Sequence, residues 1–261
     1  MDKNRPEINP KVSVIIPVFN TEDYLEESVR SIMNQTLHEI EIIIINDGST
    51  DSSLSIIKKL AEEDSRIKWF TQPNMGPSVT RNSGIDLANC EYLYFMDSDD
   101  VLDSNALRIC YKLSKDRNLD FVFFDAIPFS DIGLHTSDRT YFRTFLFNEN
   151  KVYNGIEVLN KMLNHNIFRA SPCLNFINSR LLKDHILRFL PNIIHEDELF
   201  VPQLYLYAER ISCVKDIFFK RRIRSGSIMS KKFSIPNIKG YLVVVRELKN
   251  LSKNNLLFRV C

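Results

Sequence analysis

Three carboxylates stand within four residues at Asp97, Asp99 and Asp100, directly after the apolar stretch 92–96. Like charges at that density repel. A hard divalent cation such as Mg²⁺ or Mn²⁺ relieves the repulsion, above all where a diphosphate supplies further oxygen ligands. The same acids also suit the start of a following helix, although Asp103 and Ser104 are placed to cap it. A second acidic pair, Glu196 and Asp197, opens the helical stretch 196–207. By itself that pair reads as favourable charge at a helix N-terminus. Positive charge is concentrated in residues 215–232, which hold seven Lys or Arg and one Asp in a chain of net charge +1. A bound diphosphate, an anionic lipid surface or a solvated edge would each account for it, in that order. Arg81 and Asn82 lie near the start of another helical stretch, 77–88, able to meet an anion or orient a carboxylate. A surface arginine stabilising nearby acids is the plainer alternative.

Strands and helices must position these residues. Residues 12–19 form a nearly unbroken β-branched and apolar run, which predicts a strand buried on both faces. Residues 24–34 place Leu25, Val29, Ile32 and Met33 at helical spacing, and 41–46 give a second buried strand ended by Asp47 and Gly48. Ser49, Thr50 and Asp51 supply N-cap chemistry for a helix carrying Leu54, Ile57, Leu60 and Ala61. Strands at 67–71 and 92–96, helices at 77–88 and 104–114, and an apolar run at 120–125 continue the rhythm. Strand and helix in strict alternation mean crossover units, hence an α/β fold built on a mainly parallel twisted sheet flanked by helices. In such sheets ligands bind at the carboxyl ends of the strands. Here those ends carry Asn20, then Asn46 and Asp47, then the Asp97 cluster, so one rim gathers amides and carboxylates.

Beyond residue 126 the alternation fails. Residues 126–150 read as a long loop or short irregular strands, with helices expected at 154–164 and 196–207. From 235 onward Ile238, Leu242, Val245 and Leu248 fall near one face of a helix, which either packs on the domain or lies on a membrane.

Composition narrows the field. Of 261 residues 44% are hydrophobic and 26% charged, a globular balance, and a net charge of +1 gives no global attraction to nucleic acid. The seven glycines form no G-x-G-x-x-G, no G-x-x-x-x-G-K-[ST] and no G-x-S-x-G, which argues against a Rossmann dinucleotide site, a P-loop and a nucleophile elbow. Five scattered cysteines without a C-x-x-C pair suggest isolated buried thiols rather than disulfides or zinc. No apolar run approaches the roughly 20 residues of a spanning helix, and the polar N-terminus is unlike a signal peptide. The expectation is a soluble or peripheral protein of the cytoplasm.

The motifs also resemble a known family. Residues 11–20 (KVSVIIPVFN), 45–51 (INDGSTD), 76–84 (GPSVTRNSG) and 96–100 (MDSDD) are similar, in order, to the motifs of family 2 glycosyltransferases, inverting enzymes with the GT-A fold. The resemblance implies that Pro17, Phe19 and Asn20 line a nucleotide pocket, that Asp47 contacts the base and that Arg81 helps hold the donor. It implies that Asp97 contacts the ribose and that Asp99 ligates the Mn²⁺ or Mg²⁺ bridging the diphosphate. Residues 195–197 (HED) resemble the family's acidic pair, which makes Asp197 the general base and His195 a neighbour. Residues 220–228 (KRRIRSGSI) resemble its basic loop, with Arg222 and Arg224 closing over the donor.

By the same resemblance the chain is one glycosyltransferase domain. A sugar-nucleotide half spans 11–125, an acceptor and base half 126–232, and a C-terminal helix follows from 233. Its donor is expected to be a UDP-sugar, and its acceptor a saccharide or lipid-linked saccharide of bacterial surface polysaccharide synthesis. It would work in the cytoplasm, with peripheral contact at the inner face of the membrane. The alternatives are a catalytically silent sugar-nucleotide-binding or assembly subunit, which needs no base, and a nucleotidyltransferase. The latter would carry a glycine-rich basic loop near the first strand, where this chain has none.

Overall fold

β1 (Val12–Val18) and β2 (Ile40–Asp47) lie side by side, flanked by strands on both sides, and their sequences suit that place. Successive side chains of a strand point to opposite faces. Ile16, Ile42 and Ile44 enter one core cluster, while Ile15, Ile43 and Ile45 enter the other. Neither face meets water, so an unbroken aliphatic run is what these strands require. In a computed structural model, residues 9–130, 133–134, 140–224 and 234–254 are described.

Around this pair the chain alternates as expected. α1 (Glu22–Met33), α2 (Ser53–Glu63), β3 (Ile67–Gln72), α3 (Pro77–Leu87) and β4 (Tyr92–Phe95) complete a parallel quartet in the order β3-β2-β1-β4. Then follow β5 (Val101–Leu102), α4 (Ala106–Arg117), β6 (Phe121–Ser130), β7 (Gly133–Leu134) and α5 (Gly155–Asn164). β8 (Asn175–Asn178), α6 (Ser179–Asp184), α7 (Asp197–Tyr207), β9 (Ile211–Arg222) and α8 (Ile235–Asn254) complete the described chain. The class is α/β, and the elaborated second half extends the same sheet rather than starting another. β8 inserts antiparallel between β4 and β6, β9 runs parallel to β6, and β5 closes antiparallel on β9.

Three of these strands have no counterpart in the local pattern. β5 is two residues long and β8 four, too short to show a period. β9 ends in the basic run that reads as a loop, yet Lys220, Arg221 and Arg222 pair with Ile127, Pro128 and Phe129 of β6. That register also turns residues 126–130, expected to be irregular, into the last half of a ten-residue strand. Residues 225–228 of the basic segment lie outside the described residues. Cys90, Cys110, Cys173 and Cys213 are free and buried, as isolated thiols should be. No helix among the described residues is long and apolar enough to cross a membrane.

α7 is held in place by a close approach at its C-terminal end. Gly155, the first residue of α5, leaves no room for a side chain: a Cβ there would stand 2.1 Å from the Tyr205 carbonyl oxygen and 2.9 Å from that of Ala208. Both obstacles are backbone and cannot swing away. Gly155→Ala should therefore destabilise the protein by about 1–3 kcal/mol, the usual cost of overpacking, read as a lower urea midpoint at unchanged m.

Candidate active site

The rim is assembled by hydrogen bonds between neighbouring strand exits. Asn20 leaves β1 with φ of 50°, a left-handed conformation that asparagine tolerates. Its Oδ1 accepts the Thr50 amide at 2.8 Å, tying the β1 exit to the turn after β2. Glu22 and Asp51 reinforce the link reciprocally: Ser52 N–H donates to Glu22 and Glu22 N–H donates to Asp51. Beside them Pro17 is half-buried in β1, and the Phe19 ring, 46% exposed, stands open to solvent.

Asp47 ends β2 and is 3% exposed. Its Oδ1 accepts from the Met75 amide (2.9 Å) and from Gln72 Nε2 (2.8 Å), and its Oδ2 accepts from the Gly76 amide (2.9 Å). The carboxylate thus shapes the turn that leads into α3. Gly48 lets that turn approach: its φ is 71°, and a Cβ would lie 2.7 Å from the Asn74 nitrogen.

The three acids after β4 face three ways. Asp97 Oδ1 accepts from Arg81 Nη2 at 2.9 Å. Asp99 Oδ2 accepts from Arg224 Nε at 2.6 Å, and the Asp99 carbonyl accepts from Arg222 Nε at 2.9 Å. Asp100 is buried and accepts the Arg222 amide at 2.7 Å. Burial, with the charges of Asp99 and Asp97 nearby, pushes its carboxyl well above the ordinary range. Asp100 therefore fastens the end of β9, while the Asp97 and Asp99 side chains keep part of their surface open to solvent. Arg222 also donates to Glu27 of α1, and its guanidinium lies over the rings of Tyr24 (4.9 Å) and Phe129 (4.4 Å). Arg224 lies 5.4 Å from the Tyr24 centroid.

No group of three or more His, Cys, Asp or Glu among the described residues forms a ready metal cage. Mg²⁺ and Mn²⁺ accept one or two carboxylates and take their remaining oxygens from phosphate and water. Asp99, with Asp97 beside it, offers that partial set.

On the other side His195 turns the chain with φ of 70°, and α7 begins two residues later. Arg81 reaches across from α3. Its Nη1 donates to Glu196 at 2.8 Å while Nη2 holds Asp97, and the guanidinium lies 5.2 Å from the Phe189 centroid. Buried between two carboxylates, it holds its proton more firmly than an ordinary arginine. One side chain therefore joins the β4 exit to the start of α7. Asp197 follows immediately. Burial raises its carboxyl to about 7, and the Glu196 and Glu198 charges add to the rise; Arg81 and the Glu198 amide oppose it. The amide donates to Asp197 Oδ1 at 3.0 Å.

Arg81 thus links Asp97 after β4 to Glu196, the neighbour of Asp197, while Arg222 and Arg224 link the end of β9 to Asp99 and Asp100; Asn20 is tied to the turn after β2, and Pro17 and Phe19 lie in and just after β1. Asp47 lies beneath the adjoining turn. Glu27, Tyr24 and the pairing role of Glu196 have no signal in the local pattern, because each acts on a residue more than a hundred positions away. His195 belongs to a different contact. Its ring stacks on Tyr241 of α8 at 4.1 Å, and its Nε2 lies 3.1 Å from Asn237 Nδ2.

A twisted α/β sheet with this acid-rich rim has the GT-A architecture of sugar-transferring enzymes. The signature of Glycosyl transferase family 2 matches residues 13–185, and the chain belongs to that family. It is 32% identical over 265 residues to the cholesterol galactosyltransferase of Borreliella burgdorferi, covering 96% of this chain and 70% of that one. It is 29% identical to glycosyltransferase GlyA of Streptococcus pneumoniae over 85% of this chain, but that match spans only 32% of GlyA. Among solved structures, residues 1–349 of S. aureus TarS in complex with UDP-GlcNAc superpose with a TM-score of 0.75 at 25% identity. That superposition covers 92% of this chain and 67% of the TarS fragment. A Pyrobaculum calidifontis mannosyltransferase in complex with GDP-Man and Mn²⁺ shares the fold at 14% identity, with a TM-score of 0.59 over 93% of this chain and 72% of that one.

Proposed function

We propose that the protein transfers a sugar from a nucleotide-diphosphate donor, a UDP-sugar, to an acceptor hydroxyl with inversion at the anomeric carbon. The observation that carries this reading is the Arg81 bridge, which seats a carboxyl poised near neutrality, Asp197, beside the strand rim. Asp197 accepts the acceptor's hydroxyl proton while that oxygen attacks the anomeric carbon from the face opposite the donor phosphate. The bond from the anomeric carbon to the phosphate oxygen breaks, and its electron pair leaves with the nucleoside diphosphate. Arg222 and Arg224 are the side chains suited to that departing charge.

Mn²⁺ or Mg²⁺, held by Asp99 and the donor diphosphate, would neutralise the leaving group. Asp99 would hold the cation through Oδ1, the oxygen not engaged by Arg224 Nε. Asp97 suits the ribose. Pro17, Phe19 and Asn20 suit the nucleoside. Asp47 is already engaged by three donors, so recognition of the base there runs through the Met75–Gly76 turn it shapes, or displaces Gln72. The TarS complexes with UDP-GlcNAc and UDP support a uridine donor, and the manganese complex of the archaeal mannosyltransferase supports the cation. A Campylobacter jejuni relative named for an undecaprenol-linked acceptor, 43% identical over 100 residues, supports a lipid-linked saccharide as acceptor.

Ligand that binds only the native state raises its melting temperature by mass action. UDP-sugar with Mn²⁺ should therefore stabilise the protein, and chelator should remove the effect. Asp99→Ala should weaken this metal-supported binding by roughly tenfold or more, a charge-assisted contact being worth about 1.5–3 kcal/mol. Unchanged affinity in that variant would refute the ligand role. Donor binding without turnover over a broad acceptor panel would mark a binding subunit instead.

A further inference from the structure

α8 packs on the domain through the side that carries Val244, Leu248 and Leu251, and turns Ile235, Ile238, Leu242 and Val245 away from it. The packed face carries Gly240, where a Cβ would lie 2.2 Å from the Ile194 carbonyl oxygen, and the buried Val244. Tyr241, at its edge, stacks on His195. This fixes the rotation of the helix and turns Ile235 (68% exposed), Ile238 (47%), Leu242 (65%) and Val245 (57%) outward. At 100° per residue the four fall within an arc of about 80°. Widened to about 120°, the same arc takes in Lys239, Arg246, Lys249 and Lys253, all exposed. The helix has one acidic residue, Glu247, and it lies on the packed side. The outward surface is therefore aliphatic over the first turns and basic over the last, with no acid in the arc.

We propose that this face of α8 docks on the surface of an anionic lipid bilayer, with the helix lying in the plane of the headgroups. Aliphatic side chains enter the acyl boundary while flanking lysines and arginine meet lipid phosphates. A second copy of the chain fits less well. A parallel pair along this seam would set Arg246, Lys249 and Lys253 against themselves, and an antiparallel pair would set those cations against aliphatic residues. The docking itself does not depend on the donor reading, but its consequence does. Ile194 and His195, which hold α8, immediately precede Glu196 and Asp197. A docked helix would therefore bring the base to the surface where a lipid-linked acceptor is anchored.

The test is co-sedimentation of the full chain with vesicles of phosphatidylcholine alone and of phosphatidylcholine with about one third phosphatidylglycerol. Binding to the anionic vesicles should exceed binding to the neutral ones by at least roughly tenfold and weaken as salt rises toward about 1 M. Leu242→Glu/Val245→Glu and Arg246→Glu/Lys249→Glu should each reduce it by roughly tenfold or more. Both pairs are exposed, so the melting temperature should be unchanged and any UDP-dependent shift measured without vesicles should persist. Absence of binding, equal binding to both vesicle types, or a dimer in sedimentation velocity that Leu242→Glu/Val245→Glu dissolves would each overturn the proposal. Loss of the UDP shift in the parent protein would instead count against the donor reading alone.

Discussion

Asp197→Asn should lower the rate of transfer by about 10²–10⁴-fold, the range expected for removal of a general base, while UDP-sugar still raises the melting temperature as in the parent. The two readouts separate because Asp197 touches no residue of the nucleotide rim directly; Glu196, not Asp197, holds Arg81. With a carboxyl raised to about 7, kcat/KM of the parent should climb tenfold per pH unit below that value and level off above it. The Asn variant should lose this limb. Stability carries an independent signature. A carboxyl whose native pKa lies above its unfolded value binds its proton more tightly when folded. Its favourable contribution is complete below the unfolded pKa, near 4, and is lost as pH climbs through about 7. Asp197→Asn removes the buried charge, so the variant should be more stable than the parent by about 1–3 kcal/mol at pH 8 and no more stable at pH 4. Full activity in the variant, or a melting difference independent of pH, would sink the assignment.

Arg81→Met should be the most destabilising substitution at the site. It leaves Asp97 and Glu196 without their cation, and breaking a buried ion pair by removing one partner costs about 3–5 kcal/mol. In a domain of this size that lowers the melting temperature by on the order of 10 °C. Arg81→Lys should be intermediate, because an ammonium cannot span both carboxylates as the two Nη groups do. A cycle of Asp97→Asn with Glu196→Gln tests whether one guanidinium couples the two acids. If Arg81 serves both, the double variant departs from the sum of the singles by at least about 0.5 kcal/mol. Strict additivity would mean that the two acids do not communicate through Arg81. Where the arginine variant remains folded, weaker UDP-sugar binding is expected as well, because Asp97 is no longer oriented.

The parallel quartet was legible because its signals are local: aliphatic runs at 12–19 and 41–46, cap chemistry at 49–51, and polar residues at each strand exit. The acids of the rim followed from the same exits. What escaped is set by contacts between distant segments. The Arg81 link to Glu196 spans 115 positions, and nothing near either residue announces the other. β9 looked like a basic loop because Lys220 to Arg222 are paired by β6 rather than by any periodicity of their own. Asp47 looked free to meet a ligand, yet the turn after β3 donates two amides to it. In α8, Ile238, Leu242 and Val245 do share a face, but it points outward, while Val244 and the half-buried Leu248 turn inward, a rotation that Gly240 and His195 decide by close packing.

The placement of β8 has a consequence for how the chain is made. β4 and β6 both need β8 as their common neighbour, and about 80 residues separate the end of β4 from the start of β8. At roughly 5–20 residues per second, a ribosome leaves the β4 edge without a partner for several seconds after that strand has emerged. An open edge is a template for pairing with other chains, so the nascent protein passes through a window of exposure that its finished sheet conceals. A fragment ending at residue 125 would remain in that window permanently and should aggregate.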